Sequence, residues 1–173
     1  MLDSPSISAA TTQTFELTAR QKEVRAVFAT AAKYFLIYGG SRSGKTFLTI
    51  YTILTRMIKA PGSRHVVFRN DGIDAKQSIG NETIPAVIKL AYPTLALKWH
   101  DQDGYYEAPN GSQLWLAGLK DKARLDKVLG KEFCTIYLNE ASQITLEAFS
   151  VVQTRLAQVV MQTNGKRLPL RLY

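Results

Sequence analysis

Apolar positions along the chain recur with two different periods. In TARQKEVRAVFATAAK, which starts at Thr18, the residues Val24, Val27 and Phe28 fall on one helical face behind a residue suited to capping a helix N-terminus. Residues 34–38, YFLIY, form a short unbroken apolar run that stops at glycines, which predicts a buried strand. Residues 45–59, KTFLTIYTILTRMIK, are apolar over a wide face and are closed by APGSR, so a buried helix is expected there. HVVFR (65–69) predicts a second strand, and residues 75–90 a helix with Gly80 and Pro85 as candidate break points. LALKWH, GYYEA and QLWLAGL read as strands joined by turns at Asp103-Gly104 and Asn110-Gly111. CTIYL (134–138) is a further strand, 145–158 a helix and RLPLRLY (167–173) a last strand. Strands alternating with helices predict an α/β fold, with a mostly parallel sheet covered on both faces and one antiparallel hairpin at an edge. Residues 1–14 lack periodicity and predict a mobile arm, leaving residues 15–173 as one domain.

Composition narrows the class. A length of 173 residues with 46% hydrophobic and 21% charged residues suits one soluble domain with a sizeable core. No apolar stretch reaches the roughly 20 residues that cross a bilayer, and no basic region followed by an apolar one opens the chain, so a cytoplasmic protein without a membrane partner is expected. The single cysteine, Cys134, excludes an internal disulfide and a multi-cysteine zinc site, and its apolar surroundings make it a small core residue. The formal net charge of +8 points to a polyanionic partner, because Lys and Arg release counterions from nucleic-acid phosphates. Lys120, Lys122, Arg124, Lys127 and Lys131 cluster in KDKARLDKVLGK and could face DNA or a neighbouring subunit. Asp121 and Asp126 make a solvated mixed-charge helix the alternative.

GGSRSGKT, residues 39–46, fits G-x-x-x-x-G-K-[ST], with Gly39, Gly44, Lys45 and Thr46 at the fixed positions and Gly40, Ser41, Arg42 and Ser43 between and beside them. It lies between an expected strand and an expected helix, which is the context such a loop needs. Glycines let backbone N–H groups turn inward, the helix N-terminus adds positive potential, Lys45 reaches the outer phosphates and the Thr46 hydroxyl ligates magnesium. A plain glycine turn with a surface lysine is the alternative.

In such proteins a second apolar strand lies next to the first and presents an acidic residue to the magnesium shell. TIYLNE supplies the strand and ends in Asn139 and Glu140. Glu140 can take a proton from an attacking water, while Asn139 can contact a magnesium-bound water without adding charge. A core strand that stops at a polar loop is the alternative.

FLIYGGSRSGKT, LAGLKDKARLDKVLGKEFCTIYLNEASQI and QTRLAQ, in this order, resemble the N-terminal ATPase domain of the large terminase subunit of tailed bacteriophages, over nearly all the chain after the arm. The resemblance implies a P-loop NTPase fold of the ASCE type, with the catalytic glutamate at the end of the strand beside the phosphate-loop strand. It implies ATP and Mg2+ as cofactors, Glu140 as the catalytic base, Lys45 and Thr46 as phosphate and magnesium contacts, and Arg42 as a γ-phosphate sensor. Asn139 then looks like a variant that members of the group carry. Gln21 matches a glutamine that reads the adenine edge, with an exposed helix residue as the alternative. Arg124 and Arg155 are candidates for an arginine supplied to a neighbour's nucleotide; surface or structural salt bridges are the alternatives.

The family packages double-stranded DNA into procapsids, which implies double-stranded DNA, a portal protein and a terminase small subunit as partners and a homo-oligomeric ring as the working state. Its full chain continues into a coupling motif and an RNase H-like nuclease. The sequence to Tyr173 contains neither, so nuclease activity is not carried over and hydrolysis by this chain alone is expected to be slow or absent. A helicase-like nucleic-acid-dependent ATPase and a non-hydrolysing nucleotide-binding assembly module stand as the other readings.

Overall fold

Six strands form a sheet in the order β2-β3-β4-β1-β5-β6, in a computed structural model that describes residues 15–173 apart from the side chains of residues 122–124. The strands are β1 (Arg64–Arg69), β2 (Lys98–His100), β3 (Tyr105–Glu107), β4 (Gln113–Gly118), β5 (Thr135–Leu138) and β6 (Arg171–Leu172). β1 runs parallel to β4 on one side and to β5 on the other, and β5 runs parallel to β6. β2 and β3 add antiparallel to the β4 edge, so the expected edge hairpin is present. The helices are α1 (Ala19–Phe28), α2 (Lys45–Lys59), the single turn α3 (Gly72–Asp74), α4 (Ile84–Ala91), α5 (Lys122–Leu129) and α6 (Leu146–Gln153). The arm expected over residues 1–14 lies outside the described residues.

Alternation along β1 and β5 builds the two layers. Val67 and Tyr137 point to the face covered by α2 and α4, where Ile50, Ile53, Leu54 and Val87 are buried. Val66, Phe68, Ile136 and Leu138 point to the other face, under Val128 of α5 and Val152 of α6. Successive side chains of a strand face opposite ways, so near-continuous apolar strands require helices on both faces.

One buried patch is polar. His65 is fully buried, with Nδ1 2.7 Å from Thr135 Oγ1 and Nε2 2.9 Å from Ser63 Oγ. The Arg56 guanidinium of α2 donates to Thr135 Oγ1 at 2.8 Å and to the carbonyls of Cys134 and Pro169. Desolvation, with Arg56 nearby, holds the His65 imidazole well below its ordinary value and therefore neutral. Burial pushes the Cys134 thiol up, which fits its reading as a core residue rather than a nucleophile.

Four expectations are corrected. Residues 34–38 do not form a buried strand. Tyr34 makes an isolated bridge to Leu172, Phe35 N–H donates to the Leu172 carbonyl at 2.8 Å, and the ladder goes no further. Leu36 and Tyr38 are 84% and 88% exposed, because the segment has β6 on one side and no strand on the other among the described residues. Nor does β5 lie beside this segment, since β6 intervenes. The last helix stops at Gln153 rather than 158. Past it the chain turns extended so that Phe133 N–H can donate to the Arg155 carbonyl and Leu156 can bridge to Phe133. The last strand shrinks to Arg171–Leu172, after a proline that has no N–H for a ladder.

The helix expected over 75–90 is not split at Gly80 or Pro85. Residues Ala75–Thr83 form a π-helix that runs directly into α4. In i→i+5 bonding the donor for the Gly80 carbonyl would be the N–H that Pro85 lacks, and the Tyr106 hydroxyl donates to that carbonyl at 3.1 Å instead. Gly80 also faces Leu116, whose Cδ1 lies 3.0 Å from where a Cβ would stand, so the wide turn fits tightly on the sheet.

Two outcomes follow from this packing. A Cβ on Gly118 would lie 2.6 Å from the Gly72 Cα, backbone that cannot swing aside, so Gly118→Ala is expected to destabilise the fold by about 3 kcal/mol, read as a lowered urea midpoint. His65 stays neutral in the fold, whereas unfolded it titrates near 6.5, so the unfolded chain binds more protons below that pH. Stability is therefore complete above the unfolded value and declines as pH falls, by up to ~1.4 kcal/mol per unit, a slope that His65→Gln should flatten in urea titrations.

Candidate functional site

The glycine loop and α2 meet at Gly44. Gly44 caps α2 with φ of 78°, a left-handed conformation that a Cβ disfavours, and no side chain caps the helix. The first N–H groups of α2 are thus left facing the loop, where the helix end favours an anion. Lys45 curls back over the loop: its Nζ donates to the carbonyls of Gly39 at 2.8 Å and Gly40 at 2.7 Å and to Ser43 Oγ at 3.0 Å. All three ammonium donors are thereby used inside the loop. Arg42 holds φ of 59°, uncommon for a residue with a side chain.

At the far side stands the end of β5. The Asn139 N–H donates to the Phe68 carbonyl at 2.9 Å, and its Nδ2 donates to the Tyr137 hydroxyl at 2.8 Å, which leaves Oδ1 as an acceptor. Glu140 takes φ of 59°, a second left-handed non-glycine residue. Backbone of this kind persists where surrounding structure imposes it, and such positions cluster at functional sites. Both Glu140 oxygens are engaged by Arg69 at the end of β1, with Nη2 on Oε1 and Nε on Oε2, and Gln143 donates to Oε2 at 3.1 Å. The hydrogen bond it donates to Glu140 holds the Arg69 guanidinium above its ordinary value. Arg69 also donates to the Ser78 hydroxyl and to the Asp74 carbonyl.

One cleft of 1180 Å³ joins these groups at the C-terminal ends of the parallel strands, where ligands of open α/β sheets bind. Gly39, Ser41, Arg42, Lys45 and Thr46 line one wall, Asn139 and Glu140 another, and Ser78 and Glu82 of the π-helix a third. Among the described residues the hydroxyl of Thr46 has no hydrogen-bond partner. Gln21 adjoins the loop without lining the cleft. Its Nε2 is 3.1 Å from where a Gly44 Cβ would stand, while its Oε1 accepts from the Thr18 N–H in a capping box at the start of α1.

The remaining candidates stand apart. Arg155 donates to the Leu129 carbonyl at 3.1 Å and to Thr154 Oγ1 at 3.0 Å and does not line the cleft. The side chain of Arg124 lies outside the described residues. In the basic stretch Lys127 of α5 pairs with Asp103 of the turn between β2 and β3, and Lys131, past the end of α5, lies 4.9 Å over the Trp115 ring.

The family model for the N-terminal part of the terminase large subunit, T4likevirus type, matches residues 36–158. The chain belongs to that family. Among solved structures, this terminase domain is similar to the large terminase of a thermophilic bacteriophage, with a TM-score of 0.66 and 16% identity over 84% of this chain and 37% of that one. The same terminase in complex with ADP matches with a TM-score of 0.66 and 16% identity over 82% of this chain and 36% of that one. The large terminase ATPase domain of Thermus phage P74-26 matches with a TM-score of 0.60 and 16% identity, over 82% of this chain and 60% of that one. At this identity the likeness is one of fold. The terminase domain therefore spans little more than a third of the length of the first two. No curated protein matches it by sequence.

Arg69 and Glu82 are the site residues of this terminase domain that sequence reasoning missed. Arg69 ends an apolar strand and reads locally as a strand terminus. Its partner stands 71 positions away, so only the strand pairing reveals the contact.

Proposed function

We propose that the chain is the ATP-binding and ATP-hydrolysing motor domain of a phage terminase large subunit, whose turnover drives double-stranded DNA into a procapsid. The single observation that carries the reading is the cleft in which a GGSRSGKT loop, opening directly into α2, faces Asn139 and Glu140. The family assignment and the ADP complex of a structural relative support the nucleotide as ATP.

The residues fit a magnesium nucleotide. Thr46 offers a hydroxyl without a protein partner, and the Asn139 amide is oriented with its Oδ1 free to accept from a metal-bound water. A bound Mg2+ would neutralise charge on the phosphate oxygens. For the chain's own part, the loop N–H groups and the α2 terminus hold the phosphates, and Lys45 exchanges its loop carbonyls for phosphate oxygens. Arg42, at the cleft wall, sets positive charge against the negative charge of the γ-phosphate oxygens. Glu140 leaves Arg69 and accepts the proton of the attacking water. Gln21, beside Gly44, reaches the base with its Nε2.

The basic composition suits contacts to DNA phosphates without sequence preference. A ring of copies, a portal protein and a small subunit are the proposed partners, in the host cytoplasm. Among the described residues no helix is long and apolar enough to cross a membrane.

Turnover with and without double-stranded DNA tests the reading. Lys45→Ala is expected to lower ATP turnover by about two to three orders of magnitude through lost phosphate contacts. Glu140→Gln should keep nucleotide binding while cutting hydrolysis by about two to four orders of magnitude; retained turnover in that variant would assign the base elsewhere. Asn139→Asp is expected to strengthen the magnesium dependence modestly, measured as the Mg2+ concentration for half-maximal turnover. Complete loss of activity would mean that the site is shaped around the neutral amide.

A further inference from the structure

We infer that Tyr137 is a positioning residue for the metal end of the cleft: its hydroxyl holds the Asn139 amide with the carbonyl oxygen turned outward. This rests on the reading of Thr46 and Asn139 as the residues that meet a magnesium nucleotide.

An asparagine at the end of β5 sets a condition that an aspartate there would not. A carboxylate presents two equivalent acceptor oxygens, so half a turn about its last bond changes nothing. A primary amide presents an acceptor on one side and donors on the other, and the same half-turn sets donor against donor where a metal-bound water stands. An amide in that place therefore serves a cation only if a neighbouring group selects its orientation.

β5 supplies the selector two residues earlier. Alternation along a strand puts Tyr137 and Asn139 on one face, and both line the cleft with Thr46. The Asn139 backbone is fixed by its N–H on the Phe68 carbonyl at 2.9 Å, and the residue is 8% exposed. Its Nδ2 donates to the Tyr137 hydroxyl at 2.8 Å, which leaves Oδ1 as the outward acceptor. Tyr137 is itself buried in the core that α2 covers, across from Val67 of β1, so its hydroxyl is a fixed point. With a phenyl ring in its place, Nδ2 would face apolar carbon in a nearly water-free position. The acceptor-outward orientation would then lose the bond that supports it.

The test is calorimetric affinity for a non-hydrolysable ATP analogue in Mg2+ and in EDTA, taken as a ratio that isolates what the metal adds. Tyr137→Phe is expected to cut this ratio about threefold to tenfold, the worth of one hydrogen bond to a nearly buried group. In an Asn139→Asp background the same substitution should bring no loss, because a carboxylate has two equivalent acceptors and needs no orienting partner. Tyr173→Phe removes a hydroxyl from the same cleft lining that is not bonded to Asn139, and should leave the ratio as in the wild type. An unchanged ratio in Tyr137→Phe, an equal loss in the Asn139→Asp background, or an equal loss in Tyr173→Phe would each overturn the inference while leaving the ATPase reading in place. A wild-type chain that binds the analogue no better in Mg2+ than in EDTA would overturn it together with the magnesium assignment. Failure to bind the analogue at all would overturn the ATPase reading as well.

Discussion

Four residue pairs, from His65 with Thr135 to Phe68 with Leu138, lock β1 and β5 in parallel, and the Asn139 N–H carries that ladder one step further onto the Phe68 carbonyl. By that register Arg69 stands beside Asn139, and Glu140, one residue further on, meets the Arg69 guanidinium from its left-handed backbone. A one-residue slip would send every side chain to the opposite face and separate the pair. Apolar packing alone resists such a slip weakly along strands rich in similar residues such as Val66, Val67 and Ile136. The buried bonds among His65, Thr135, Ser63 and Arg56 resist it with direction, because each donor needs its own acceptor. A polar patch at one end of the sheet thereby sets the alignment of charges at the other.

Donors and acceptors in the cleft are satisfied from within. The Lys45 ammonium is satisfied by its own loop and the Glu140 carboxylate by Arg69. Any anion that enters the cleft would compete with contacts the protein already makes, so the free energy of its binding is the difference between the two sets.

Much of this was legible in the residues. The limits of α2 follow from the loop before it and APGSR after it, the hairpin turn from Asn110-Gly111, and the two-faced sheet from near-continuous apolar strands alternating with helices. The phosphate loop, Asn139 and Glu140 share one cleft, as their order along the chain suggested. Illegible were features that depend on distant neighbours. YFLIY has the composition of an interior strand, but composition does not state how many partners the sheet will offer. Gly80 and Pro85 read as breaks because the remedy, the Tyr106 hydroxyl on the Gly80 carbonyl, comes from another element. Arg69 carries no local mark at all, because its partner Glu140 stands at the end of another strand.

The exposed run leading into the phosphate loop has a consequence for the protein in solution. Leu36 and Tyr38 stand almost fully in water beside backbone donors and acceptors that no strand among the described residues pairs. An extended, apolar, unpaired edge is a template on which further chains can align, and it is not blunted here by a charged side chain within YFLIY. The formal charge of +8 opposes that association by mutual repulsion, which added salt screens. Colloidal behaviour of this chain thus couples to ionic strength through its least protected stretch, directly before the glycine loop.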